Sequence, residues 1–410
     1  VRLPRSAGGK GRREADEANK PAEVEAIEAF LFSQAEFRHN VITHHCEIRW
    51  TEEAGFLPLT DRDVNTLWGR MNKTVGRVYL TDIYNVIHSE FVPLFNPFQS
   101  YFDHLPSWDG VSDPIGDLAD TVHVKSDQAE FRDYFRKWFV GILPALLDDT
   151  VVNHEILVLI GEQGLYKTTW FNFLLPPELR CYFYTKTNSD RLNKDDLFSL
   201  TEFALICFEE LDGMRPAELN QLKAMVTMPY VNERAAYGRN KERHPHIASF
   251  CGTGNNVQFL TDPTGNRRWL PFEVSQIRDP HLHAIPYELV YSQAYALWKS
   301  GFCHWFSQEE IRKLNMHNSR FEVPNLEEDL IRTHFRKPFE GEAGIFVTAA
   351  DILEQISSCL RYPLSPNKIG RIMAGLEFES IRYKGKRGYI AVKKTGEDID
   401  RERRSGALGL

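Results

Sequence analysis

Hydrophobic positions along the chain change period several times, and each change marks an element. In AEFRDYFRKWFVGILPALL, the residues Phe131, Tyr134, Phe135, Trp138, Phe139 and Ile142 recur three and four apart, which predicts an amphipathic helix. Short continuous apolar runs follow at Ile156–Ile160, 203–208, 247–251 and 269–274. Helical patterns after Lys167 and over 217–227 separate them, and a last helix over Tyr287–Lys299 has Gly301 as its C-cap. Apolar strands alternating with helices predict a mostly parallel sheet flanked by helices, an α/β fold.

The flanks read differently. VEAIEAFLF has helical spacing, DVNTLWGRMN starts another helix with an N-cap Asp63, and YLTDIYNVIHSEFVPLF continues as an aromatic helix before LPSWDG turns the chain. Near the other end, FVTAADILEQI and SPNKIGRIMAGL are two capped helices, and FESIRYKGKRGYIAVKK is a hairpin turning at Lys384-Gly385-Lys386. Helix, helix and hairpin predict a winged-helix-like domain. The expected organisation is a disordered tail over 1–21, a mixed α/β linker or collar domain over 22–115 and a parallel-sheet α/β domain over 116–305. A helical linker over 306–344, the winged-helix-like domain over 345–395 and a disordered tail over 396–410 complete it. Val1 stands where an initiator Met is usual, which carries the expectation of an unconventional start or of sequence upstream.

Composition narrows the class. With 42% hydrophobic and 12% aromatic residues, general disorder is excluded. The net charge of −8 does not favour nucleic acid globally, so local patches must decide. Six scattered cysteines without C-x-x-C spacing read as reduced thiols in a cytoplasmic protein. Apolar runs fall short of the ~18–20 residues that span a bilayer, and the N-terminus lacks a signal-like apolar stretch, so no membrane partner is expected.

The candidate chemistry begins in LVLIGEQGLYKTTW. Strand, Gly-rich loop and helix follow the P-loop order, with Gly161, Gly164, Lys167, Thr168 and Thr169 as nucleotide-binding candidates. Tyr166 occupies the position where that pattern has Gly. If positive φ is needed there, the side chain costs about 1–2 kcal/mol, or the loop takes another shape. Lys167 supplies charge for β/γ-phosphates and the Thr168 hydroxyl a ligand for Mg²⁺. FALICFEELDG places Glu209 and Glu210 at a strand end, where one carboxylate suits Mg²⁺ and the other the attacking water. IASFCGTGNN brings Thr253 and Asn255 to the same phosphates, with Asn255 as sensor. DPTGNRRWLPFEV projects Arg267 and Arg268, either of which suits an arginine finger toward a neighbouring subunit. Each stretch alone also fits an ordinary strand–turn.

Taken in order, GEQGLYKTT, FEELDG, LKAMVT, NERAAYGR, GTGNN and TGNRRWLPF resemble the virulence-associated protein E family of P-loop ATPases, relatives of the superfamily-three, primase-associated helicases of phages and mobile elements. The resemblance covers about 131 to 274. It implies Walker A roles for Lys167 and Thr168, Walker B roles for Glu209 and Glu210, the sensor role for Asn255, and the finger for Arg267 or Arg268. It also implies ATP and Mg²⁺ as cofactors and a hexameric ring, with a primase as a candidate partner. In NERAAYGRNKERHPH, Arg234, Tyr237, Arg239 and Lys241 lie where such helicases line the pore, charges for phosphates and a ring for bases of single-stranded or forked DNA. The basic set Lys368, Arg371, Lys384, Lys386 and Arg387 suits a duplex or fork, or else a protein partner. His44-His45-Cys46, His244-x-His246 and His281-x-His283 lack second ligand pairs at zinc spacing.

The resulting expectation is an ATP-dependent helicase or translocase module of a mobile-element replication protein. The alternatives are an ATP-switched initiator that does not unwind, and a scaffold whose pocket Tyr166 has closed.

Overall fold

The computed structural model describes residues 23–187, 194–233, 242–261, 266–324, 326–339, 341–357 and 365–398. The chain forms a mixed α/β fold with several sheets, divided into two compact units, Val1–Phe321 and Glu322–Leu410.

The first unit opens with helix α1 (Val24–Gln34) and the antiparallel strands β1 (Ala35–Asn40) and β2 (His45–Trp50), followed by the short β3 (Leu57–Pro58). Helix α2 (Asp61–Thr74) starts two residues before Asp63. Its N-cap is Thr60, and Asp63 is the reciprocal partner of a capping box, accepting from the Thr60 amide at 2.9 Å. The aromatic stretch after Tyr79 is helical only as α3 (Leu80–Ile87). Ser89 then bonds the Val86 carbonyl and the Phe91 amide, ending the helix, and the chain runs into β4 (Leu94–Phe95), parallel to β1. Ile27, Leu31, Ile48, Leu67, Met71 and Ile83 form the core of this part.

Two short helices, α4 (Pro97–Asp103) and α5 (Pro114–Ala119), lead to β5 (Val122–Val124) and the long α6 (Gln128–Leu147). The central sheet adds β6 (Ile156–Ile160), β7 (Phe183–Lys186), β8 (Leu205–Phe208), β11 (Ser249–Gly254) and β12 (Trp269–Ile277), in the order β5-β12-β6-β11-β8-β7. All neighbours are parallel except β5, which runs antiparallel on β12 and which hydrophobic pattern alone did not predict. Helices α7 (Lys167–Phe173), α8 (Lys194–Glu202), α9 (Pro216–Val226), α10 (Tyr287–Lys299) and α11 (Gln308–Asn318) complete the unit. Between α9 and β11 stands an antiparallel pair, β9 (Tyr230–Glu233) and β10 (Glu242–Pro245).

Strand alternation divides the core. Leu157 and Leu159 of β6 pack with Phe131, Phe135, Trp138 and Trp170, whereas Ile156, Val158 and Ile160 pack with Leu219, Leu222 and Val226 of α9. The sheet is therefore covered on both faces, which is why its strands read as continuous apolar runs.

The second unit contains α12 (Leu326–His334), β13 (Phe335–Arg336), β14 (Ile345–Val347), α13 (Ala349–Ser357), α14 (Pro366–Gly375) and the hairpin β15 (Ser380–Tyr383)–β16 (Lys386–Lys393). Ile331, Ile352, Ile369, Met373 and Tyr389 form its core. The stretch 306–344, read from sequence as one linker, is divided between the units: α11 packs on β12, and α12 on α13.

Candidate nucleotide site

Every side chain of β6 is fully buried, so the strand delivers the loop after it from a fixed base. Gly161 continues the sheet, its amide donating to the Gly254 carbonyl at 3.1 Å. A Cβ there would stand 2.9 Å from both the Val274 carbonyl oxygen and Cγ2, so the close approach to β12 requires glycine. Gly164 has φ +89°. Tyr166 adopts φ 59° and ψ 18°, the left-handed region, and is 42% exposed. The loop thus keeps the glycine conformation at residue 166 and carries its strain, the first of the two outcomes expected from sequence. Its carbonyl accepts from the Trp170 amide at 2.7 Å, so α7 starts directly after it. Trp170 and Phe171 are buried in the core, and the Trp170 indole donates to Thr121 at 2.8 Å, which anchors α7.

Lys167 is only 8% exposed. Its ammonium donates to the carbonyls of Gly161 at 2.5 Å and Glu162 at 2.8 Å and to Asn255 Oδ1 at 3.3 Å. Burial lowers its pKa from the ordinary value, and the Asp212 carboxylate opposes that shift. The Thr168 hydroxyl donates to Glu209 Oε1 at 2.8 Å. Glu210 is exposed, with φ 55°. Together with Gln163, Gly164, Tyr166, Thr169, Thr253 and Asn255, these residues line a cleft of about 410 Å³. A buried ammonium and a hydroxyl–carboxylate pair lining one cleft suit a polyphosphate and a hard divalent cation, whose ligands are oxygens. Gly161 stands outside the lining and shapes the loop from beneath.

The expected strand 247–251 extends to Gly254, so Thr253 is part of β11. Asp212, to which the sequence reading gave no role, accepts from the backbone amides of Asn255 and Asn256, each at 3.1 Å. Gly252 and Gly254 seat its turn: a Cβ at 252 would meet Leu211 Cδ1 at 2.2 Å, and one at 254 would meet Asp212 Oδ1 at 3.1 Å. The alternate glycines of GTG on a strand were the available signal.

Arg267 and Arg268 are not at this cleft. They precede Trp269, which pairs with Ile156, so they lie at the other end of β6, near His154 and Glu155. Arg234, Tyr237, Arg239 and Lys241 lie outside the described residues. Flanking them, Arg243 stacks on the Tyr230 ring at 3.9 Å. In the second unit, Lys368, Arg371, Lys384, Lys386 and Arg387 are all exposed, and Lys368 is in addition bonded to the buried Glu327. Among the described residues no cluster of three metal-ligating side chains occurs, and no helix is long and apolar enough to cross a membrane.

A family model of the virulence-associated protein E-like domain matches residues 103–323, more than half of the chain. No curated protein matches. Similar solved structures include the apo structure of the NrS-1 C-terminal region (305-718), at 12% identity, 90% of this chain, 99% of that chain and TM-score 0.47. The A form apo structure of the same region, at 12% identity, has the same coverages and a TM-score of 0.46.

Proposed function

The chain belongs to the virulence-associated protein E-like domain family, and from that premise we propose that it is a Mg²⁺-dependent P-loop ATPase driving a DNA helicase or translocase in the replication of a phage or mobile element. The observation that carries this reading is the Thr168–Glu209 hydrogen bond of 2.8 Å beside the buried Lys167, which joins segments about forty residues apart at one cleft.

In this reading Lys167 exchanges its protein acceptors for β/γ-phosphate oxygens. Thr168 and Glu209 hold Mg²⁺, which supplies charge neutralisation at the phosphates when bound. Glu210, exposed at the cleft, accepts the proton of the attacking water, and the Asn255 amide orients the γ-phosphate end. Arg267 or Arg268 completes the site of a neighbouring copy in a ring, and the segment 234–243 contacts single-stranded DNA. The second unit, read as a winged helix, contacts the fork through Arg371, Lys384, Lys386 and Arg387. Lys167→Ala is expected to abolish ATP hydrolysis measured by phosphate release. Retained full turnover would overturn the reading.

One observation favours a second reading, an ATP-switched initiator. Three protein acceptors hold Lys167, and nucleotide must displace them. Slow turnover that single-stranded DNA does not stimulate would support the switch, and stimulated turnover the motor.

A further inference from the structure

Asp212 lies in the single turn Leu211–Gly213, directly after the acidic pair Glu209-Glu210 at the end of β8. Both of its carboxylate oxygens are engaged across to the neighbouring strand's loop: Oδ1 accepts from the Asn255 amide and Oδ2 from the Asn256 amide. Such charge-assisted bonds to two successive amides fix the direction of the chain as it leaves β11. Glycine at 252 and 254 lets the turn approach this closely. The side chain whose backbone is thereby held, Asn255, places its Oδ1 at 3.3 Å from the Lys167 ammonium. Asp212 itself does not line the cleft.

We infer that Asp212 is a positioning residue for ATP hydrolysis: it locks the acidic turn and the Asn255 loop into one body, so that the side-chain amide of Asn255 faces Lys167 and the γ-phosphate. This rests on the ATPase reading above. The consequence is mechanical as well as local. A displacement of Asn255 when nucleotide is cleaved is carried directly to Glu209 and Glu210, because the two loops share Asp212.

Asp212→Asn keeps the shape of the side chain, removes the charge and turns one acceptor into a donor facing a backbone amide. In the full chain, kcat is expected to fall about 10- to 100-fold while the dissociation constant for magnesium-ATP, from calorimetry, moves less than about threefold. The melting temperature is read in parallel, and should Asp212→Asn fail to fold, Gly254→Ala, which presses on Oδ1 from the strand, replaces it with the same expectation. The decisive arm is a double-mutant cycle. If Asp212 acts through Asn255, its substitution costs less than about twofold in kcat when Asn255 is already Ala. Turnover of Asp212→Asn within about twofold of the parent, or a loss that multiplies unchanged onto Asn255→Ala, overturns the positioning role. A parent chain that hydrolyses no ATP overturns the ATPase reading, and this inference with it.

Discussion

At the scale of single residues, the chain spends stability where its backbone is constrained. Tyr166 holds a left-handed conformation that glycine adopts without penalty. Tyr166→Gly is therefore expected to raise stability by about 1 kcal/mol, read as an increase in the urea midpoint. Magnesium-ATP affinity should stay within about threefold, since the loop already has the glycine geometry. His246 costs stability through its side chain instead. It is buried, its Nδ1 donates to the Met228 carbonyl at 2.7 Å, and burial, opposed by that bond, pushes its pKa down to about 4. The unfolded chain, with a pKa near 6.5, takes up the proton first. Stability is thus full above about pH 6.5 and declines as pH falls toward 4, by up to about 3 kcal/mol. His246→Leu should flatten that part of a urea-midpoint profile against pH.

At the scale of elements, the decisive contacts are those between a loop and the strand beside it. Gly161 leaves β6 against the backbone of β12, and a methyl group there collides with a main-chain oxygen that has no rotamer to escape into. Gly161→Ala is expected to cost about 1–3 kcal/mol by denaturant unfolding and to lower nucleotide affinity, because the loop must shift away from β12. In the second unit, the β15–β16 hairpin turns through Lys384 and Gly385, at φ 48° and 79°, and leaves Lys384 and Lys386 exposed. If the hairpin contacts duplex DNA, replacing both lysines with Ala should reduce the slope of log affinity against log salt by about 1.8, measured by fluorescence anisotropy. An unchanged slope would point to a protein partner.

At the scale of the whole molecule, the first unit separates the two halves of the proposed site. The cleft lies at the Ile160 end of the sheet, and Arg267 and Arg268 at the Ile156 end. Five residues of strand hold these ends about 16 Å apart, so in the proposed ring the finger at each cleft is that of another copy. Lys167→Ala and an Arg267→Ala/Arg268→Ala double variant, each expected to be inactive, should recover about a quarter of parental turnover when mixed and reassembled at random in a head-to-tail ring. No recovery would argue against a shared site. The separate cores of the two units also predict more than one calorimetric transition, with a calorimetric enthalpy above the van't Hoff value.

Much of this protein is legible in its sequence because local physics is strong there. A strand buried on both faces must be apolar throughout, as β6 is, and an amphipathic helix must repeat its apolar residues as α6 does; glycine and lysine at a strand–helix junction advertise the loop between them. Those signals mark the α/β core and the 161–169 segment, and polar residues at the ends of apolar strands add Glu209, Glu210 and Asn255, which line one cleft with Lys167 and Thr168. What tertiary structure alone decided are the matters set by neighbours distant in sequence. The register of β11 beside β6 and β8 gave Asp212 its two amide partners, and the pairing of β12 with β6 sent the arginines to the far end of the sheet. Neither follows from spacing along the chain, since hydrogen bonds between strands are fixed by which edges meet, and that choice belongs to the packed core as a whole.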